Sequence, residues 1–208
     1  MPQDALIPMP SNMDFTEAAV IPIAGDAALE SMRALDLDAG DMLFVAGASG
    51  AIGTLVIQLA TARGIRVVAS ASRKNHDYMQ SLGAEKTVDY SDPDWKQRVK
   101  EWMPEGVSAA LAIQPGTVND CMDIVKDGGK VVTVSGDPTE SKRNISVFQF
   151  EHHKDTKPAL IQLISDIAEG RIRLIIEHIY PFEQALGALE KTETRHARGK
   201  VAVSLTGA

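Results

Sequence analysis

Gly47-Ala48-Ser49-Gly50-Ala51-Ile52-Gly53 stands between the apolar run Met42 to Ala46 and a helical pattern, so it reads as a strand end, a tight turn and a helix start. These residue types at this spacing suit a diphosphate. Gly47 lets the chain leave the strand sharply, Gly50 removes a side chain where a ligand must approach the backbone, and Gly53 lets the helix pack closely on the sheet. Free amides at the helix start then face the anion, with Ser49, Ala51 and Ile52 completing the cradle. Ala48 replaces one glycine of G-x-G-x-x-G, so the flanking strand and helix carry the assignment.

A sheet of this kind that prefers NAD usually has an acidic residue about 20 positions beyond the glycines, to bind ribose hydroxyls. Here the second strand ends Val68-Ala69-Ser70-Ala71-Ser72-Arg73-Lys74, with no acid at its tip. Ser70 and Ser72 followed by Arg73 and Lys74 offer hydroxyls and cations to a 2′-phosphate, which favours NADPH over NADH. The plainer alternative is that Arg73 and Lys74 are solvated helix-start residues. Tyr90, after the third strand, either covers the sheet edge or stacks on adenine and donates to phosphate.

Other chemistries fit less well. A hydrolase elbow needs Gly-x-Ser-x-Gly, and Ala51 stands where its last glycine would be. Phosphoryl transfer needs Lys-Ser/Thr after the glycines, which is missing. His152-His153 has no cysteine or carboxylate at ligand spacing and reads as a solvated loop; no metal site is expected. Cys121, beside Met122 in an apolar pattern, reads as a small buried hydrophobe rather than a nucleophile, and no catalytic side chain is assigned.

The elements around the turn repeat strand and helix. Short helices are expected across Phe15 to Leu35, then strands at Met42 to Ala46, Ile65 to Ser70, Lys86 to Asp89, Val107 to Ile113 and Lys130 to Val134, with helices between. Asp92-Pro93 is expected to cap and start the third of these helices, and Thr117 the fourth. Asn144 to Phe150 adds an edge strand; Pro158 to Glu169, Arg171 to Ile179, Phe182 to Glu190 and Lys200 to Leu205 follow as helix, strand, helix and strand. The fold class is therefore α/β, a doubly wound parallel sheet of Rossmann type, with a short N-terminal helical segment and a C-terminal helix-strand appendage. We divide it as 1–36, leading segment and helices; 37–180, dinucleotide-binding domain; and 181–208, C-terminal helix and strand.

At 208 residues and 44% hydrophobic, the chain can build one principal core. A net charge of −7 without a basic block argues against nucleic acid, and no apolar run reaches the roughly 20 residues that span a bilayer. One cysteine excludes an intramolecular disulfide and fits a reducing, cytoplasmic setting. Met1 to Pro10 has no export signal, and Ala5 to Pro10 resembles the exit from a preceding domain, as in a fragment of a longer protein.

Several separated stretches resemble the zeta-crystallin-like quinone oxidoreductases of the medium-chain dehydrogenase/reductase superfamily. They are Phe15 to Ala19 with Pro22 to Gly25, the glycine turn running into Ile57 to Ala60, Ala69 to Ser72 followed by Asn75, Ser81 to Ala84, Val88 to Tyr90, and Arg198 to Val201. The resemblance covers nearly the whole chain but only the family's cofactor-binding part; the catalytic barrel domain, which would precede Met1, is absent. It implies that Gly50, Ala51 and Ile52 lie against the pyrophosphate, that Ser70, Lys74 and Tyr90 surround the adenosine phosphate, and that Lys200 lies near the nicotinamide. Ala27 and Ala112 stand where the family commonly has threonine and aspartate, and Ile113-Gln114-Pro115-Gly116 replaces a small turn over the nicotinamide.

The expectation is the NADPH-binding domain of a zinc-independent oxidoreductase that transfers hydride to a small-molecule acceptor, a quinone or enone. This chain by itself is expected to lack turnover. The alternative is a non-catalytic dinucleotide-binding and dimerisation module. A homodimer is expected through the edge strand at 144–150, with no nucleic acid or membrane partner.

Overall fold

A computed structural model describes residues 6–205; Met1 to Ala5 and Thr206 to Ala208, the ends of the leading and C-terminal segments, lie outside the described residues. Two helices come first, α1 (Phe15–Val20) and α2 (Pro22–Leu35). Asp14 starts α1 with a capping box: the Glu17 amide donates to Asp14 Oδ1 at 2.7 Å, and the Asp14 amide to Glu17 Oε2 at 3.2 Å. Pro22 begins α2 at a position whose amide has no helical partner.

The main sheet is built from β1 (Met42–Ala46), β2 (Arg66–Ser70), β3 (Lys86–Val88), β4 (Val107–Ala112), β5 (Val125–Thr133) and β6 (Ser146–Gln149), in the order β3-β2-β1-β4-β5-β6. Every pairing is parallel. Its crossovers include α3 (Ala51–Ala62), α4 (His76–Ser81), α5 (Trp95–Trp102) and α6 (Val118–Ile124). All five residues of β1 are buried because helices cover both faces. The pleat divides them: Leu43 and Val45 join the core under α2, α3 and α7 (Lys157–Ala168), whereas Met42, Phe44 and Ala46 face α5 and α6. Strand order reverses between β1 and β4, which opens a crevice at their carboxyl ends.

Two expectations are corrected. α5 begins at Trp95, not at Pro93: Asp92 Oδ1 accepts from the Asp94 amide at 3.0 Å, forming a turn that delays the helix. The strand expected over Arg171 to Ile179 is β7 (Ile176–Pro181), and it pairs in parallel with β8 (Lys200–Ser204) as a separate two-stranded sheet. Its residues thus belong with the C-terminal unit, which also holds α8 (Ala185–Glu193). His152 and His153 lie in an exposed irregular segment, as expected, and there they meet Asp26 and Glu30, one turn apart on α2, where carboxylates offer acceptors to ring N–H groups.

Candidate functional site

The glycine turn joins β1 to α3 at the reversal of strand order. Gly47 has φ +84°, and a Cβ there would come within 2.9 Å of Gln114 Cγ, so the position requires glycine. A Cβ on Gly53 would lie 2.6 Å from the Ala48 backbone, which lets α3 pack directly on the turn. Gly50 differs, since its absent Cβ would meet nothing closer than 3.5 Å and leaves open space beside the backbone. Gly50 gives α3 no side-chain cap, and the amides of Ala51, Ile52 and Gly53 have no acceptor among the described residues. Exposed donors at the positive end of a helix favour an anion.

Two adjoining cavities flank this turn. The first, about 410 Å³, is lined by Gly47, Ser49, Gly50, Ser70, Ser72, Lys74 and Tyr90 among the residues singled out from sequence. The second, about 310 Å³, includes Gly50, Ala51 and Lys200. Ile52, Gly53 and Arg73 line neither. Ile52 packs on the core, Gly53 lies under the turn, and Arg73 opens a single 3₁₀ turn that points its side chain outward and Asn75 inward. The Arg73 amide donates to Asp89 Oδ2 at 3.1 Å. That carboxylate also accepts from the Ser91 hydroxyl and amide, which hold its pKa below the ordinary aspartate value.

The inner end of the first cavity is apolar: Phe44 and Trp95 stack with centroids 5.3 Å apart and planes 11° from parallel, beside Cys121. Burial pushes the Cys121 thiol well above its usual range, so it stays protonated and poorly nucleophilic. Tyr90, half exposed, stands at the rim. Phe44, Trp95 and Tyr90 thus give this cavity an aromatic lining, a surface that suits a planar base.

Charge distinguishes this crevice from the acidic surface. Lys74, Arg195 and Lys200 line it, and none makes a salt bridge among the described residues. Burial lowers the Lys200 pKa, as desolvation without a carboxylate partner requires. The lone lining carboxylate, Asp120, is paired with Lys96. Three cations without salt bridges beside open amides, in a chain of net charge −7, favour an anion there.

Ala27 and Ala112 line neither cavity; both are buried in the core. Residues not foreseen as contacts are Asn75, Gln114, Thr194, Arg195 and His196. The Ser-x-x-Asn spacing of Ser72 and Asn75 was a local signal, seen now as a 3.2 Å bond from Asn75 Nδ2 to Ser72 Oγ. For 194–196 the only signal was the nearby Gly199-Lys200. Gly199 bridges Gly50, and its amide donates to Ser49 O at 2.9 Å, which brings the whole segment across the turn.

Residues 82–203 match the family described as zinc-binding dehydrogenase. Over 93% of its length the chain is 30% identical to the chloroplastic NADPH-dependent alkenal/one oxidoreductase of Arabidopsis thaliana, and covers 48% of that protein. It is 28% identical, over 93% of its length, to 2-methylene-furan-3-one reductase of Solanum lycopersicum, covering 48% of it. The quinone oxidoreductase of Coxiella burnetii superposes with a TM-score of 0.88 at 27% identity, over 98% of this chain and 65% of that one. The chain therefore spans about half the length of the two plant relatives.

Proposed function

Because the chain belongs to the zinc-binding dehydrogenase family, as a cofactor-binding domain of the quinone and enone oxidoreductase type in the medium-chain dehydrogenase/reductase superfamily, we propose that it binds NADPH across the two cavities. In the parent protein that cofactor would pass hydride to a quinone or an enone, without zinc and in the cytoplasm. The observation that carries this reading is the glycine turn with free amides, ringed by three cations that lack carboxylate partners.

The preference for the 2′-phosphate rests on Lys74, which shares the first cavity with Ser70, Ser72 and Tyr90. Asp89, whose two carboxylate oxygens accept from Arg73 and Ser91, lines neither cavity. One relative's name states NADPH dependence. The bound dinucleotide supplies the hydride; the chain's part is to hold it, fix its reach and keep water away. Gly50 lets the diphosphate approach the α3 amides, the first cavity, lined by Phe44, Trp95 and Tyr90, receives the adenine, and Lys200 borders the nicotinamide half. Calorimetric titration tests this: NADPH should bind about tenfold or more tighter than NADH. Equal affinity removes the NADPH assignment, and binding of neither removes the reading.

The C-terminal unit favours a second reading, in which this chain binds the dinucleotide without turnover. Phe182 and Leu186 are 60% and 76% exposed, apolar surface that the described residues leave to water. NADPH binding with no quinone reduction supports it, and turnover by the chain defeats it. The same proposal includes a homodimer. β6 pairs only with β5 among the described residues, leaving Ser146–Gln149 an open edge with Phe148 exposed. Sedimentation at micromolar concentration should give twice the chain mass, and a monomer overturns it.

A further inference from the structure

Asn75 closes the single 3₁₀ turn after β2 and stands where α4 begins, 6% exposed, on the wall of the first cavity. An asparagine at a helix start ordinarily offers its side-chain oxygen to a free backbone amide. Here no such cap forms. Asn75 Nδ2 donates to Ser72 Oγ at 3.2 Å, and the Asn75 amide donates to Ser72 O at 2.8 Å, so side chain and backbone are both tied to Ser72. Asn75 Oδ1 is buried and has no hydrogen-bond partner among the described residues.

A buried acceptor without a donor is costly, and folded proteins leave few of them. Its place on a cavity wall points to a donor that arrives with the ligand. A phosphate is the wrong group for it, because an ionised phosphate brings only acceptors and negative charge towards a carbonyl oxygen. In the adenosine half of NADPH the N–H donors belong to the exocyclic amine of the base. Phe44, Trp95 and Tyr90 line the same cavity, and aromatic faces suit a base better than a ribose.

We infer that Asn75 Oδ1 accepts a hydrogen bond from the exocyclic amine of the bound adenine, so that Asn75 distinguishes adenine from a purine carrying a carbonyl at that position. This rests on the NADPH reading above. The same side-chain carbonyl takes the adenine amine when asparagine reads this base in nucleic acids. Asn75 acts on the base alone, apart from the glycine turn and Lys74, and therefore treats NADH and NADPH alike.

The test is calorimetric titration of the full chain with NADPH and with its hypoxanthine analogue, in which a carbonyl oxygen replaces the amine. Wild type should bind NADPH about tenfold or more tighter, because the analogue sets one carbonyl oxygen against another. NADH and its own hypoxanthine analogue should show the same ratio. Asn75→Ala should weaken NADPH by about threefold to tenfold and bring the ratio to within about threefold. Asn75→Leu, closer in volume, should do the same where the alanine variant folds poorly. Equal affinity of wild type for NADPH and its analogue overturns the inference and leaves the NADPH reading standing. So does a preference for adenine that survives either substitution, which is the result a merely structural Asn75 would give. A wild-type preference for hypoxanthine also overturns it, since the group facing the base would then be a donor. Wild type that binds no dinucleotide overturns the reading beneath it.

Discussion

The two sheets of this protein treat water in opposite ways. Every residue of β1 is buried between helices, while none of the six residues of β7 is, and Ile179 and Val203 on the small sheet remain well exposed. The main sheet hides the apolar surface that its helices bring with them, so its stability is set within the chain. The C-terminal unit leaves Phe182, Leu186 and Leu189 to solvent and is held chiefly by pairing of β7 with β8, by packing of β8 against α1 and α8, and by the Gly50–Gly199 bridge. Yet both cations of the second cavity, Arg195 and Lys200, come from that weakly buried unit. Burial is concentrated in one region, and part of the proposed dinucleotide site comes from the other.

The sharpest way to break this contrast is to remove comparable side chains from each region. Leu43→Ala, at a fully buried position of β1, should cost about 2–5 kcal/mol, read as a fall in the denaturant midpoint. Leu186→Ala, at 76% exposure on α8, should change stability by less than about 0.5 kcal/mol. If both cost the same, the C-terminal unit is packed more tightly than its exposure states. A smaller expected effect concerns the adenosine end. Lys74→Glu should weaken NADPH by about thirtyfold or more and NADH by less than about threefold, because only NADPH brings a 2′-phosphate to meet the new carboxylate. Equal losses in a titration would detach Lys74 from that phosphate.

The same contrast explains what the sequence made legible. Strands β1, β2 and β4 are short apolar runs ended by glycine or small polar residues, and such local patterns place them to within a residue or two. The glycine turn is equally local, since Gly47 and Gly53 owe their identity to neighbours within the motif or one strand away. The late strand was harder: Arg171 to Ile175 is as apolar as β7, and only pairing with β8, more than 20 residues further on, selects Ile176–Pro181. Arg195 and Gln114 escaped for a related reason. Each reaches the glycine turn only through the fold, by the Gly199 amide on Ser49 O and by the closeness of Gln114 to Gly47. Arg73 and Lys74, two adjacent cations, look alike in sequence, while in the fold a single 3₁₀ turn leaves only Lys74 lining the cavity.

The smallest effect isolates the charge contributed by the exposed region. Burial lowers the Lys200 pKa below its unfolded value of 10.5, so the folded state binds this proton less tightly than the unfolded chain does. Stability should therefore rise with pH between the folded and unfolded values, and at neutral pH the protonated amine works slightly against folding. Lys200→Met removes that opposition: it should raise the denaturant midpoint slightly at pH 7 and abolish the alkaline rise, while weakening NADPH by several-fold. A dinucleotide phosphate near the second cavity would reverse the bias, favouring the charged amine and drawing a proton from solvent on binding. Calorimetry near pH 9 in buffers of different ionisation enthalpy measures that uptake. Wild type should take up a fraction of a proton that Lys200→Met does not, and equal uptake by the two would separate Lys200 from the bound anion.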